Sequence, residues 1–111
     1  MTSVTKDLKH AEIGRLREIY LNLTGRILPQ LAEEGGWVIV RDHCFQRVVL
    51  DNVFEDTWYN HLDKDGDNPA YKQLSKSELI SAIRISKKME RNGGKFVEKL
   101  NEKSLEYRDK N

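Results

Sequence analysis

The chain has 111 residues, enough for one domain with an ordinary core, and it reads as a single helical domain over 1–111. Its hydrophobic fraction of 38% and charged fraction of 33% suit a small helical protein with broad solvated faces and argue against disorder throughout. One cysteine excludes an internal disulfide, and no apolar run has the length of a membrane span or signal-peptide core, so a cytoplasmic protein with no membrane partner is expected.

The net charge of +1 hides a gradient: residues 1–71 carry 8 basic and 12 acidic side chains, and residues 72–111 carry 11 basic and 6 acidic ones. A basic C-terminal part can attract phosphate or an acidic partner, while interleaved Lys and Glu also serve simply to solvate two helices.

From Thr5 to about Glu34, the residues Leu8, Leu16, Ile19, Tyr20, Leu23, Ile27 and Leu31 recur mostly at three- and four-residue steps. That spacing predicts a long helix or two joined pieces. Pro29 lacks a backbone donor and crowds the preceding turn, so a break or kink is expected between Thr24 and Pro29. Gly35-Gly36 ends the helix. Trp37 to Val40 is a short β-branched run and the one extended segment expected, with no second strand to pair with it.

Asp42 is the expected N-cap of the next helix, in which Phe45, Val48, Val49 and Val53 form an apolar stripe. A polar stripe through His43, Arg47 and Asp51 lies beside it, with Arg47 and Asp51 spaced to pair across one turn. The helix is expected to run through Trp58 and Tyr59 and to be over by DKDGDNP, a strong turn signal. Ser75 and Glu78 have capping-box spacing before Leu79, Ile80 and Ile83, marking a helix that stops near Asn92-Gly93-Gly94. Phe96, Val97, Leu100 and Ser104 extend a last helix almost to the terminus. The fold class is therefore all-α, a compact bundle of four to five helices with at most one short extended segment near 37–40.

The densest chemistry lies between Arg41 and Leu62, a segment that holds His43, Cys44, Arg47, Asp51, Asn52, Trp58, Tyr59 and His61. Cys44 follows His43 directly, but sequence neighbours on a helix diverge by about 100°, so a nucleophile–base pair does not follow and Cys44 reads better as a small core residue. One cysteine with His10, His43 and His61 lacks the paired spacing of a zinc site, and no metal is expected. Asp63, Asp65 and Asp67 alternate like the first ligands of a calcium loop, yet Leu74 stands where the bidentate glutamate is needed, which favours a solvated turn. Arg91 three residues before Gly94 partly matches the pyrophosphate loop of acetyl-coenzyme A enzymes, but Phe96 occupies a position that should be small, which favours a helix stop.

Taken together, RDHCFQRVVLDNVFEDTWYNHL, PAYKQL and LNEKSLEYR resemble a group of small bacterial and fungal proteins. The shared pattern is Asp-His-Cys-Phe-x-Arg, here Asp42 to Arg47, then Trp-Tyr, here Trp58-Tyr59, then Pro-Ala-Tyr, here Pro69 to Tyr71, and a terminal Leu-Asn-x-x-Ser-Leu, here Leu100 to Leu105. It covers most of residues 40–108. Members are sometimes labelled GCN5-related N-acetyltransferases, so the resemblance implies acetyl-coenzyme A as donor and an amine as acceptor.

From the residues themselves, the expected function is a helical binding module with a protein or nucleic-acid partner and no cofactor. Its ligand-binding residues would be His43, Arg47, Asp51, Asn52, Trp58 and His61, with Arg47 receiving a carboxylate or phosphate and the aromatic rings stacking beside it. Two alternatives come from other classes. One is a small transferase or hydrolase with His43 or His61 as base near Cys44 or Asp51. The other is sequence-independent nucleic-acid binding through Lys87, Lys88, Arg91, Lys95 and Lys99. Catalytic residues and oligomeric state are not legible in the sequence.

Overall fold

A computed structural model describes Leu8 and residues 10–109. The architecture is all-α, with no strand among the described residues. Helix α1 (Ile13–Asn22) runs without interruption through a π-helical turn (Leu23–Ile27) into α2 (Leu28–Gly35). Then follow α3 (Asp42–Phe54), a 3-10 turn (Trp58–Asn60), the short α4 (Ala70–Gln73), α5 (Lys76–Asn92) and α6 (Gly94–Asp109). Helix α3 is central, packing against α2, the π turn, α5 and α6, while α1 lies along α5. One apolar cluster runs through all of them, from Leu8 through Leu16, Phe45 and Ile83 to Val97.

Where a break or kink is expected, between Thr24 and Pro29, one continuous helix widens locally into a π turn. Pro29 cannot donate a backbone hydrogen bond and its ring presses on the carbonyl four residues earlier. A π turn relieves that crowding by lengthening the loop, and the Leu28 N–H donates to the Leu23 carbonyl. The buried Thr24 hydroxyl donates to the Tyr20 carbonyl at 3.0 Å, a side-chain bond to the main chain at the entry of the π turn.

Gly36, at φ 64°, closes α2 in the left-handed conformation. Trp37 to Val40 is a connecting loop and pairs with nothing as a strand. Ile39 enters the core, whereas Val38 and Val40 face outward. Trp37 fixes the loop: its indole lies against the Cα of Gly35 and of Gly94 and meets Phe45 edge-on at 6.2 Å. Gly35 at the end of α2 and Gly94 at the start of α6 thus make a seat for one aromatic ring.

Helix α3 begins one residue earlier than the expected cap: Arg41 is the N-cap and Asp42 the first helical residue, its carboxylate accepting from the His43 N–H at 2.7 Å. It also ends earlier than expected, at Phe54, because Glu55 turns left-handed at φ 52° and Trp58 is drawn back toward the helix. The capping box at Ser75 and Glu78 is complete, with both reciprocal hydrogen bonds made. Gly93, at φ 81°, separates α5 from α6 as the sequence leads one to expect.

Two substitutions probe this packing. A Cβ on Gly94 would lie 2.9 Å from Trp37 Cδ1, so Gly94→Ala is expected to destabilise by about 1–3 kcal/mol in denaturant titrations. That cost should shrink in a Trp37→Leu background, where the seat is empty; an unchanged cost would refute the steric account.

Tyr20 is fully buried and its hydroxyl has no hydrogen-bond partner among the described residues, and burial raises its pKa above the ordinary 10.0. The folded state therefore favours the neutral phenol, a contribution that is present below pH 10.0 and lost as pH rises beyond it. Tyr20→Phe should be neutral or stabilising by about 1 kcal/mol at pH 7 and should flatten the loss of stability above pH 10.0. Parallel melting curves of the two proteins from neutral to alkaline pH check this.

Candidate functional site

The polar stripe of α3 faces α6, and most of its hydrogen-bonding capacity is used there. Asp51 is fully buried. Its Oδ2 accepts from Ser104 Oγ at 2.6 Å and from Arg108 Nε at 2.8 Å, and its Oδ1 accepts from the Trp58 main-chain N–H at 2.9 Å. One carboxylate thereby joins α3, the 3-10 turn and α6. Its main-chain carbonyl also accepts from the N–H groups of Glu55 and Asp56, which closes the end of α3.

Arg47 and Asp51, expected to pair across one turn, do not form an ion pair. Arg47 Nη1 donates to Ser104 Oγ at 2.9 Å and Nη2 to Asn101 Oδ1 at 2.7 Å, so the Ser104 hydroxyl relays between guanidinium and carboxylate. The ion pair of Asp51 is made by Arg108 at the far end of the chain. The Asn52 amide donates to the carbonyls of Val48 and Leu100, a second tie between α3 and α6.

His43 and His61 lie outside this network. His43 stands at the exposed start of α3, with Nδ1 3.6 Å from Asp42 Oδ1. His61 stacks on Phe54 at 4.7 Å with nearly parallel rings, and its Nε2 lies 3.1 Å from Asp56 Oδ2. Half-buried Cys44 makes no hydrogen bond to either histidine. A base and an orienting carboxylate are therefore present at His61, but no thiol or hydroxyl nucleophile is hydrogen-bonded to that imidazole. No cluster of three or more metal-ligating side chains occurs among the described residues.

Two outward features go beyond the sequence reading, which noted Tyr59 but not its cationic neighbours. The first is the Tyr59 ring, 38% exposed, with Lys64 Nζ 4.5 Å and the Arg108 guanidinium 5.1 Å from its centroid. Arg108 Nη1 also donates to the Tyr59 hydroxyl at 3.1 Å. Nothing local in the sequence signals this group, because residues 59 and 108 meet only after α6 has folded back on α3. The second is a shallow groove of about 430 Å³ between α1, the π turn and α5, floored by Ile19, Leu23 and Ile27 and rimmed by Arg15 and Lys87.

The Gln73 amide ties the acidic turn together: it accepts from the Asp63 N–H and donates to the carbonyls of Asp63 and Asn68, while Asp63, Asp65 and Asp67 are exposed. No described helix is long and apolar enough to cross a membrane. No family model, curated protein or solved structure matches the chain.

The Asp51 network carries a clear energetic expectation. Asp51→Ala leaves Arg108, Ser104 and the Trp58 N–H without their acceptor and should destabilise by about 3–5 kcal/mol, whereas Tyr59→Phe, which removes one exposed hydroxyl, should cost less than about 0.5 kcal/mol. Urea titration of both variants decides it; equal effects would mean that Asp51 is not the joint.

Proposed function

We propose that the protein is a small helical binding module for a protein or nucleic-acid partner, and that the partner meets the outward edge of the Asp51 network. The Tyr59 ring flanked by Lys64 and Arg108 carries this reading. Arg108 is held on one side by the buried carboxylate and on the other by the Tyr59 hydroxyl, so little freedom remains to be lost on docking. Tyrosine and arginine are the residue types that most often dominate binding energy at macromolecular contacts.

Within this reading the six residues expected to bind ligand divide their work. Arg47, Asp51 and Asn52 hold α3, the 3-10 turn and α6 in place, and the Trp58 main chain is fixed by Asp51. His61, beside Tyr59 in the chain, lies on the contact edge, whereas His43 stands apart at the start of α3. The transferase alternative draws less support, since the imidazoles lack a hydrogen-bonded nucleophile and the described residues contain no sheet such as the acetyltransferase label implies.

The test compares partners recovered by the tagged full-length chain with those recovered by Tyr59→Ala and Lys64→Ala variants shown by circular dichroism to be folded. Affinity for a recovered partner is expected to fall about tenfold or more in Tyr59→Ala, the size of an ordinary hot-spot loss. Undiminished recovery by both variants would remove this edge from consideration.

A further inference from the structure

Helix α5 carries a second surface of a different character. Ser77, Ser81, Arg84, Lys88 and Arg91 follow one another at four- and three-residue steps, which puts them on one face. Arg84, Lys88 and Arg91 are all exposed, and no acidic residue interrupts the stripe. Of the two glutamates on α5, Glu78 is engaged in the capping box and Glu90 lies with Lys87 at the neighbouring groove. None of the three cations forms an ion pair with a described residue. On α6, by contrast, Lys95, Lys99 and Lys103 each stand three residues before a glutamate, at Glu98, Glu102 and Glu106, so no unmixed stripe exists there.

We infer that the α5 stripe of Arg84, Lys88 and Arg91 is a docking surface for the phosphate backbone of nucleic acid. Arg84 and Arg91 are separated by about 10 Å along the helix axis at 1.5 Å per residue. Three exposed cations along this length can neutralise about three phosphates. Serines rather than carboxylates continue the face toward the start of α5, which leaves the approach of a polyanion unopposed. The neighbouring groove is lined by Arg15 and Lys87 but also by Glu18 and Glu90, so the positive character is confined to the stripe itself. The inference rests on the binding-module reading only in taking the chain to bind a macromolecule; its surface is separate from the Tyr59 edge, so the two can fail separately.

Fluorescence anisotropy with the full-length chain tests it, using a labelled random-sequence DNA duplex of about twenty base pairs. Three phosphate contacts predict a slope of log affinity against log salt of about −2.7, which is a loss of about 40-fold between about 50 and about 200 mM salt. The Arg84→Gln/Lys88→Gln/Arg91→Gln variant, changed only at exposed positions, should lose at least about tenfold in affinity at the lower salt and nearly all of the slope. Lys95→Gln/Lys99→Gln should stay within about twofold of the unmodified protein. The inference is overturned if no duplex binds at the lower salt, if the triple variant binds normally, or if the α6 pair matters as much as the α5 trio. Binding of anionic phosphatidylserine vesicles without binding of the duplex would equally overturn it, in favour of a membrane surface. Loss of duplex binding in Tyr59→Ala alone would move the site to the edge described above and leave the binding-module reading standing.

Discussion

A single buried carboxylate sets the relation between the middle and the end of this chain. An ionised aspartate removed from water is costly unless nearly every lone pair is matched, and Asp51 meets that condition only when α6 and the 3-10 turn are both in place. Ser104 and Arg108 come from one side and the Trp58 main chain from the other. The geometry of α6 against α3 is therefore fixed by polar matching as well as by the burial of Val97 and Val48. Apolar packing alone would tolerate a shift of α6 along α3; the hydrogen bonds to Asp51, Arg47 and Asn52 would not.

A second joint, apolar and steric, ties the other end of the bundle. Trp37 reaches between two helix ends that both carry glycine, and the close approach of the ring is the reason that side chains are missing there. Gly35 and Gly94 are thus doing more than stopping helices, since Gly36 and Gly93 already supply the positive φ angles. In each glycine pair one residue turns the chain and the other makes room. The loop that connects α2 to α3 needs no strand partner because Trp37 and Ile39 anchor it from within.

Much of the helix layout was legible because it rests on local rules. The Ser75–Glu78 box, the glycine stops and the three- and four-residue spacing of Leu79, Ile80 and Ile83 act within a few residues and are visible in the sequence as they stand. The π turn was only half legible. Pro29 announces a disturbance, but whether the helix breaks or widens depends on Thr24, Leu28 and the packing of Leu23 against α3 and α5. The end of α3 was not legible, since the residue that draws Trp58 away from helical geometry is Asp51, seven positions earlier, acting through its side chain. The polar block was legible as a block and misleading as a pairing scheme. The four-residue step from Arg47 to Asp51 offers a local ion pair, yet Arg108, 57 positions away, takes the carboxylate, and Arg47 turns to Asn101 and Ser104. Local spacing shows which groups can meet on one helix; it carries no information about a better-placed partner on another.

This division between satisfied and unsatisfied charge also bears on where partners would act. Arg108 is committed to a buried carboxylate and Arg47 to Ser104 and Asn101, and each has to give up those bonds before it can serve a ligand fully, so both are poor places to look for strong salt-dependent binding. Arg108 can still present its flat face beside Tyr59, because that contact leaves its bonds to Asp51 intact. The α5 cations are the opposite case: exposed, aligned and without ion pairs among the described residues, they give up mainly water and counterions on meeting a polyanion. The closed network and the open stripe follow from the same rule. Charges buried between α3 and α6 are stable only when matched inside the chain, while charges on the outer face of α5 remain available to whatever carries the opposite sign.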